Sequence, residues 1–110
     1  MATAYKSASS SAIGTVNTLI YTAPALTTSL VMSLVCANIV GGPALIKVTI
    51  TNVTAAVTTN LAFNTSIATA SSLAVITKDQ IVTLNPGDTI HVVSNTATSI
   101  DVTASIIELS

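Results

Sequence analysis

The chain reads as an all-β protein, an antiparallel two-sheet β-sandwich of immunoglobulin-like or jelly-roll type with about seven or eight short strands. Three observations carry this. Short runs rich in Val, Ile and Thr recur between turn signals such as Gly41-Gly42-Pro43 and Asn85-Pro86-Gly87-Asp88. Apolar and polar residues alternate with a period of two in several of these runs. No stretch combines apolar spacings of three and four with a helix cap.

A length of 110 residues suits one sandwich core. Residues 1–13 are rich in Ala, Ser and Thr and poor in large apolar side chains, so we expect a flexible or extended N-terminal arm there. Residues 14–110 then form a single sandwich domain. The run 15–21 (TVNTLIY) is a first strand, ended by Pro24. The run 28–38 (TSLVMSLVCAN) is the most apolar. Strict alternation puts Leu30, Met32, Leu34 and Cys36 on one face and Val31, Val35 and Ala37 on the other, as in a strand buried on both sides. The Gly41-Gly42-Pro43 loop is expected to close a hairpin onto the next strand. In that strand Ala44, Ile46, Val48 and Ile50 alternate cleanly with Leu45, Lys47, Thr49 and Thr51.

Beyond it the pattern loosens. One strand is expected near 58–63 with a longer loop after it, then strands at 73–77 and 81–84. In Asn85-Pro86-Gly87-Asp88, proline presets φ at the second position and glycine permits a positive φ at the third, as a type II turn requires. Asp88 is placed to bond nearby backbone amides. Strands at 89–94 and 99–109 close the chain. In the last, Ile100, Val102, Ala104 and Ile106 alternate with Asp101, Thr103 and Ser105, and the polar face turns apolar at Ile107 and Leu109. Either a bulge sits there or the strand end meets another chain. With Tyr5 of the arm, Ile107 and Leu109 are the candidate interface residues.

Composition bounds function. Only 6% of residues are charged, against about 25% in an ordinary soluble domain. Arginine and tryptophan are absent, and 19 Thr and 13 Ser supply most of the polar surface. With a net charge of −1, little self-repulsion keeps copies apart, so a homo-oligomer is expected. Lys6, Lys47 and Lys78 lie far apart, with no basic run to neutralise phosphates, which argues against nucleic acid. The opening residues lack the apolar core of a secretory signal. The longest apolar stretch, 30–40, is broken by Ser33 and Asn38 and is too short to span a bilayer, so no membrane is expected. Without a secretion route, the acceptor sequons at Asn52 and Asn64 carry little weight.

Reactive groups do not converge in the sequence. His91 is the only histidine, and Asp88, three residues before it, falls on the opposite side of a strand, so no triad forms. Cys36 sits among Val35, Leu34 and Ala37 and reads as a small core residue; a single cysteine excludes an intrachain disulfide. Asp79, Asp88, Asp101 and Glu108 are scattered, short of the six or so oxygens calcium requires. The pairs Thr49/Thr51 and Thr96/Thr98 do not recur as a regular ladder. Tyr5, Tyr21 and Phe63 are the only aromatics, a thin set of platforms for sugar binding. We therefore expect no enzyme activity, no cofactor and no metal.

Two segments carry a resemblance. Residues 19–38, LIYTAPALTTSLVMSLVCAN, resemble the Y-T-x-P-A-x-T-T-x-x-V opening of small β-sandwich virion proteins of tailed bacteriophages, those of marine bacteria and cyanobacteria included. Residues 81–110 are similar to the closing half of the same proteins: an L-x-P/A-G-D-x-I/L turn, a strand, a small-residue loop, and a strand ending in S-x-x-E. Here those positions are Leu84, Gly87, Asp88, Ile90, Ser105 and Glu108. The likeness runs over about residues 14–110 and is weakest at 51–72. It implies a structural protein located in the virion and made in the host cytoplasm. It implies foremost a capsid decoration (cement) protein, a dimer or trimer seated on the major capsid protein or other virion proteins. The alternative is a tail, baseplate or fibre module able to bind host-surface glycan. It brings no catalytic residues with it.

Overall fold

The computed structural model describes residues 2–110. It contains nine strands: β1 (Thr3–Ile13), β2 (Thr18–Thr22), β3 (Thr28–Asn38), β4 (Ala44–Asn52), β5 (Val57–Ile67), β6 (Ser72–Ile76), β7 (Val82–Leu84), β8 (Thr89–Ser94) and β9 (Ile100–Leu109). One sheet runs β1-β9-β3-β6, with β7 also on β3; the other runs β2-β8-β4-β5. All pairings are antiparallel. β6 and β7 line the same side of β3 end to end, at Leu34–Ala37 and at Ser29–Val31 respectively. Nine strands therefore fill eight positions.

The pairing order decides between the two expected sandwiches. The first strand lies beside the last, β2 beside β8, β3 beside β6 and β7, and β4 beside β5. The chain is thus one long double ribbon, folded at the β4–β5 turn. Rolling that ribbon brings β9 onto β3 and β8 onto β4, which is jelly-roll topology.

The core lies between the sheets. Its largest fully buried side chains include Leu34, Ile46, Ile76, Leu84, Ile90, Ile100 and Ile106. In β4, Ala44, Ile46, Val48 and Ile50 point inward as the alternation predicts, and Thr49 is also buried.

Three local expectations are corrected. First, Gly41-Gly42-Pro43 does not close a hairpin: β3 and β4 belong to different sheets, and residues 39–43 cross between them. The buried Asn38 amide fixes this crossing, donating to the carbonyls of Gly42 and Ile67, both at 2.9 Å. Second, β3 does not keep one phase. The register against β9 shifts between Val31 and Ser33, so a bulge at Met32 changes the inward set from Ser29 and Val31 to Leu34, Cys36 and Asn38. Leu30, Met32, Val35 and Ala37 face outward, half-buried. The strand that looked apolar on both faces is an ordinary half-buried strand with one inserted residue. Third, β5 extends to Ile67, through residues expected to form a loop.

Of the stretch expected as an arm, Met1 lies outside the described residues, and Thr3–Ile13 forms β1. It pairs without interruption from Thr3 opposite Leu109 to Ser10 opposite Val102. A bulge follows, where Ala12 has φ 54° and its amide donates to Asp101 Oδ1 at 2.9 Å. A serine-rich sequence with little strand propensity is extended here because β9 supplies the hydrogen-bonding partner.

Candidate functional site

The register of the β1–β9–β3 sheet brings the candidate interface residues together. Tyr5 lies opposite Ile107, and Ile107 opposite Leu30. Leu109 lies one step further along, between Thr3 and Thr28. From Val102 to Leu109 the alternation of β9 runs unbroken against β1, so Ile107 and Leu109 stay on the outer face, and the bulge that the apolar turn hinted at sits on β3 instead. There the bulge sets Met32 beside this row. Tyr5, Lys6, Ser7, Met32, Ser105 and Ile107 border a shallow cleft of about 420 Å³, with Lys6 its one charged residue. Tyr5 is 80% exposed, whereas Ile107, Leu109, Leu30 and Met32 are half-buried by their neighbours. The result is an apolar strip across three strands, flanked by Ser7 and Ser105.

The Asn85–Asp88 turn lies at the end of the sandwich that also holds residues 23–27 and 53–56. Gly87 has φ 89°, and the Asp88 amide donates to the Asn85 carbonyl at 3.0 Å, the geometry of a type II turn. A side chain at Gly87 would bring its Cβ within 3.0 Å of Val53 Cγ2. Asp88 is 3% exposed. Its Oδ2 accepts from the Asn85 amide at 3.1 Å and its Oδ1 from the Val53 amide at 3.2 Å. The Ala23 amide donates to the Asp88 carbonyl and the Gly87 amide to the Ala23 carbonyl, both at 2.9 Å. One turn thus ties together three connections from both sheets.

The reactive side chains remain apart. His91 faces outward on β8, between Leu19 and Thr49, while Asp88 is committed to backbone amides. Among the described residues, no three His, Cys, Asp or Glu side chains gather as a metal would require. Cys36 is buried and unpaired, and burial pushes its thiol up to about 12, which makes it inert at neutral pH.

No family profile and no curated protein matches the chain. A solved structure of the infectious bursal disease virus Gt strain is similar: 14% identity, TM-score 0.47, over 98% of this chain and 30% of that one. This chain therefore spans less than a third of the length of that viral chain.

Sequence reasoning missed one polar group. Tyr21 of β2 reaches across the sandwich and donates to Glu108 Oε2 at 2.5 Å. Ser29 Oγ lies 2.8 Å from the same phenol oxygen, and with the phenol proton on Glu108, Ser29 donates. The signal was available: Glu108 falls on the inward phase of β9 after Ile100, Val102, Ala104 and Ile106, and a carboxylate on a core phase needs a partner. Burial foremost, then the hydrogen bond to Glu108 and its charge, raise the Tyr21 phenol from 10.0 to about 12, against an opposing pull from Ser29. The folded value lies above the unfolded one, so this contact contributes in full below pH 10 and is lost as pH rises through 12. In a Tyr5→Phe background, the phenolate absorbance of the folded protein should therefore appear only on approach to pH 12, and near 10 after unfolding. A folded-state midpoint near 10 would mean that the Tyr21–Glu108 contact does not hold in solution.

Proposed function

We propose that this chain is a structural protein of a virus particle, and specifically a decoration (cement) protein on the capsid of a tailed bacteriophage. The observation that carries the proposal is the strip of Tyr5, Ile107, Leu30 and Met32 on the outer face of the β1–β9–β3 sheet. It lies on a surface with few charges to keep water and neighbours at a distance. The phage-like motifs at residues 19–38 and 81–110 point the same way. The scattered reactive groups fit a role by contact and not by chemistry.

In this reading the strip lies against the major capsid protein. Apolar area removed from water stabilises by about 25 cal/mol per Å², before the cost of immobilising each copy. Many symmetric copies acting on one shell convert weak single contacts into a large total. A contact made of hydroxyls and apolar side chains also resists salt, because little of it is screened.

The test is binding to expanded empty shells. The wild-type protein should pellet with shells at a copy number of order hundreds per particle, and Ile107→Lys should abolish pelleting. Ile107 is only half-buried, so its replacement should leave unfolding by urea within about 1 kcal/mol of wild type. Copy numbers of about three or six would move the protein to a tail or baseplate. Saturable binding to host polysaccharide without binding to shells would make it a fibre module. Ile107→Lys binding shells like wild type would remove the strip from the contact.

A further inference from the structure

β1 is held differently from the rest of the sandwich. Its ladder on β9 is long: Thr3 to Ser10 pair in register, and Ala2 and Ser110 extend it by two bonds, at 2.6 and 2.9 Å. Little else holds it. The residues on its core-facing phase are Ala4, Lys6, Ala8 and Ser10, opposite Glu108, Ile106, Ala104 and Val102. None of residues 3–12 is buried, and among them only Ala8 packs against the core. A strand bound by backbone bonds with so little apolar burial belongs to the low-stability end of a fold.

From Ile13 onward the chain is fixed. Ile13 is buried. Its carbonyl accepts from the Ser99 amide, and the Gly14 carbonyl accepts from the Ser94 amide, both at 2.9 Å. A Cβ on Gly14 would lie 3.1 Å from the Thr98 amide nitrogen, so this segment lies tight against the 95–99 loop. Between the loose ladder and the fixed segment sit Ser11 and Ala12. Ala12 has φ 54°, in the left-handed region that is costly for a residue with a Cβ. A short strained hinge at the root of a terminal strand favours exchange of that strand between copies.

We propose that β1 is exchanged between two copies of the chain: residues 3–10 of each swing out at Ser11–Ala12 and pair with β9 of the other about a two-fold axis. The register already present fixes the occupant of the β9 edge. β1 of the second copy brings the same sequence to the same partners, from Thr3 on Leu109 to Ser10 on Val102. Exchange keeps this ladder and lets Ala12 leave the left-handed region. Two extended residues span about 7 Å, so the copies meet at the end of the sandwich where the pivots lie. That end suits contact between copies: residues 14–17, 39–43 and 95–99 contain no charge, and Val16 and Ile39 are 75% and 49% exposed. The cleft beside Met32, Ser105 and Ile107 then receives Tyr5 and Lys6 from the second copy, so each outer strip is built from both chains.

The exchange does not rest on the shell contact and is tested on the full chain without shells. Light scattering coupled to gel filtration should give two chains for wild type. Ser7 lies opposite Ser105, and Ser9 opposite Thr103, so paired cysteines at either place are near enough to form a disulfide. Oxidised as the dimer, Ser7→Cys/Ser105→Cys should run as two linked chains on a denaturing gel, because each bond joins β1 of one copy to β9 of the other. Ser9→Cys/Thr103→Cys should do the same and remains decisive if the first variant fails to fold; the buried Cys36 does not compete. Ala12→Gly removes the strain from the unexchanged chain and should raise the dimer Kd about tenfold for each arm. A wild-type monomer at its highest soluble concentration, a trimer, a dimer whose paired cysteines close within one chain, or a Kd unmoved by Ala12→Gly would each overturn the proposal.

Discussion

Replacing Asp88 by alanine should lower the unfolding free energy by about 3 kcal/mol, which for a chain of this size is about 15 °C in Tm. The loss follows from what the carboxylate holds. Its two oxygens accept the Asn85 and Val53 amides in a place only 3% exposed. Truncation strands both donors, and a buried amide without an acceptor costs about 1–3 kcal/mol. Asp88→Asn should fall about midway, because the amide retains one acceptor oxygen and turns an NH2 group toward the other donor. Urea unfolding of the three proteins with a shared m-value checks the ranking. Equal stabilities would show that water replaces the carboxylate at the turn.

Replacing Leu34 by alanine should cost about 3–4 kcal/mol, and Leu30 by alanine less than about 1 kcal/mol. Leu34 is fully buried and lies opposite Ala104 on one side and Ile76 on the other. Ala104 is too small to close over the space left behind. Leu30 is half-buried on the outer face. The pair of variants measures the bulge at Met32 directly. In a strand of unbroken phase the two leucines would share a face and their losses would be alike; the phase change makes them unequal.

Much of the architecture was legible because its signals are local. The alternation in β4 and β9 and the Asn85–Asp88 turn are each set by neighbouring residues, and each appears in the structure where the pattern puts it. The fold class follows from several such elements in succession. What escaped depends on partners remote in sequence. The run TSLVMSLVCAN reads as apolar on both faces because a single inserted residue, Met32, is invisible until β9 supplies a register. Gly41-Gly42-Pro43 has the composition of a hairpin, but nothing in it specifies which sheet receives the next strand. β1 lacks propensity of its own and is extended by β9, which arrives about ninety residues later. The outer strip was half legible: Ile107 and Leu109 broke the polar phase of β9, while Leu30 and Met32 join them only through pairing. The Tyr21–Ser29–Glu108 group needs both sheets in place before it exists.

The rolled ribbon also has a consequence for how the chain acquires its structure. Among the described residues, only β4 and β5 pair across a short connection; Asn52 opposes Val57 there. Every other partnership of the ribbon spans more of the chain, up to Thr3 opposite Leu109. Closing a long loop costs entropy before any contact repays it. Formation should therefore start at the β4–β5 turn and proceed outward to β1 and β9, on the millisecond-to-second scale of β-sandwiches. During synthesis β1 has no partner until β9 leaves the ribosome. Its serines and alanines, which contribute little to the finished core, keep that waiting strand soluble and poor at pairing with the wrong neighbour.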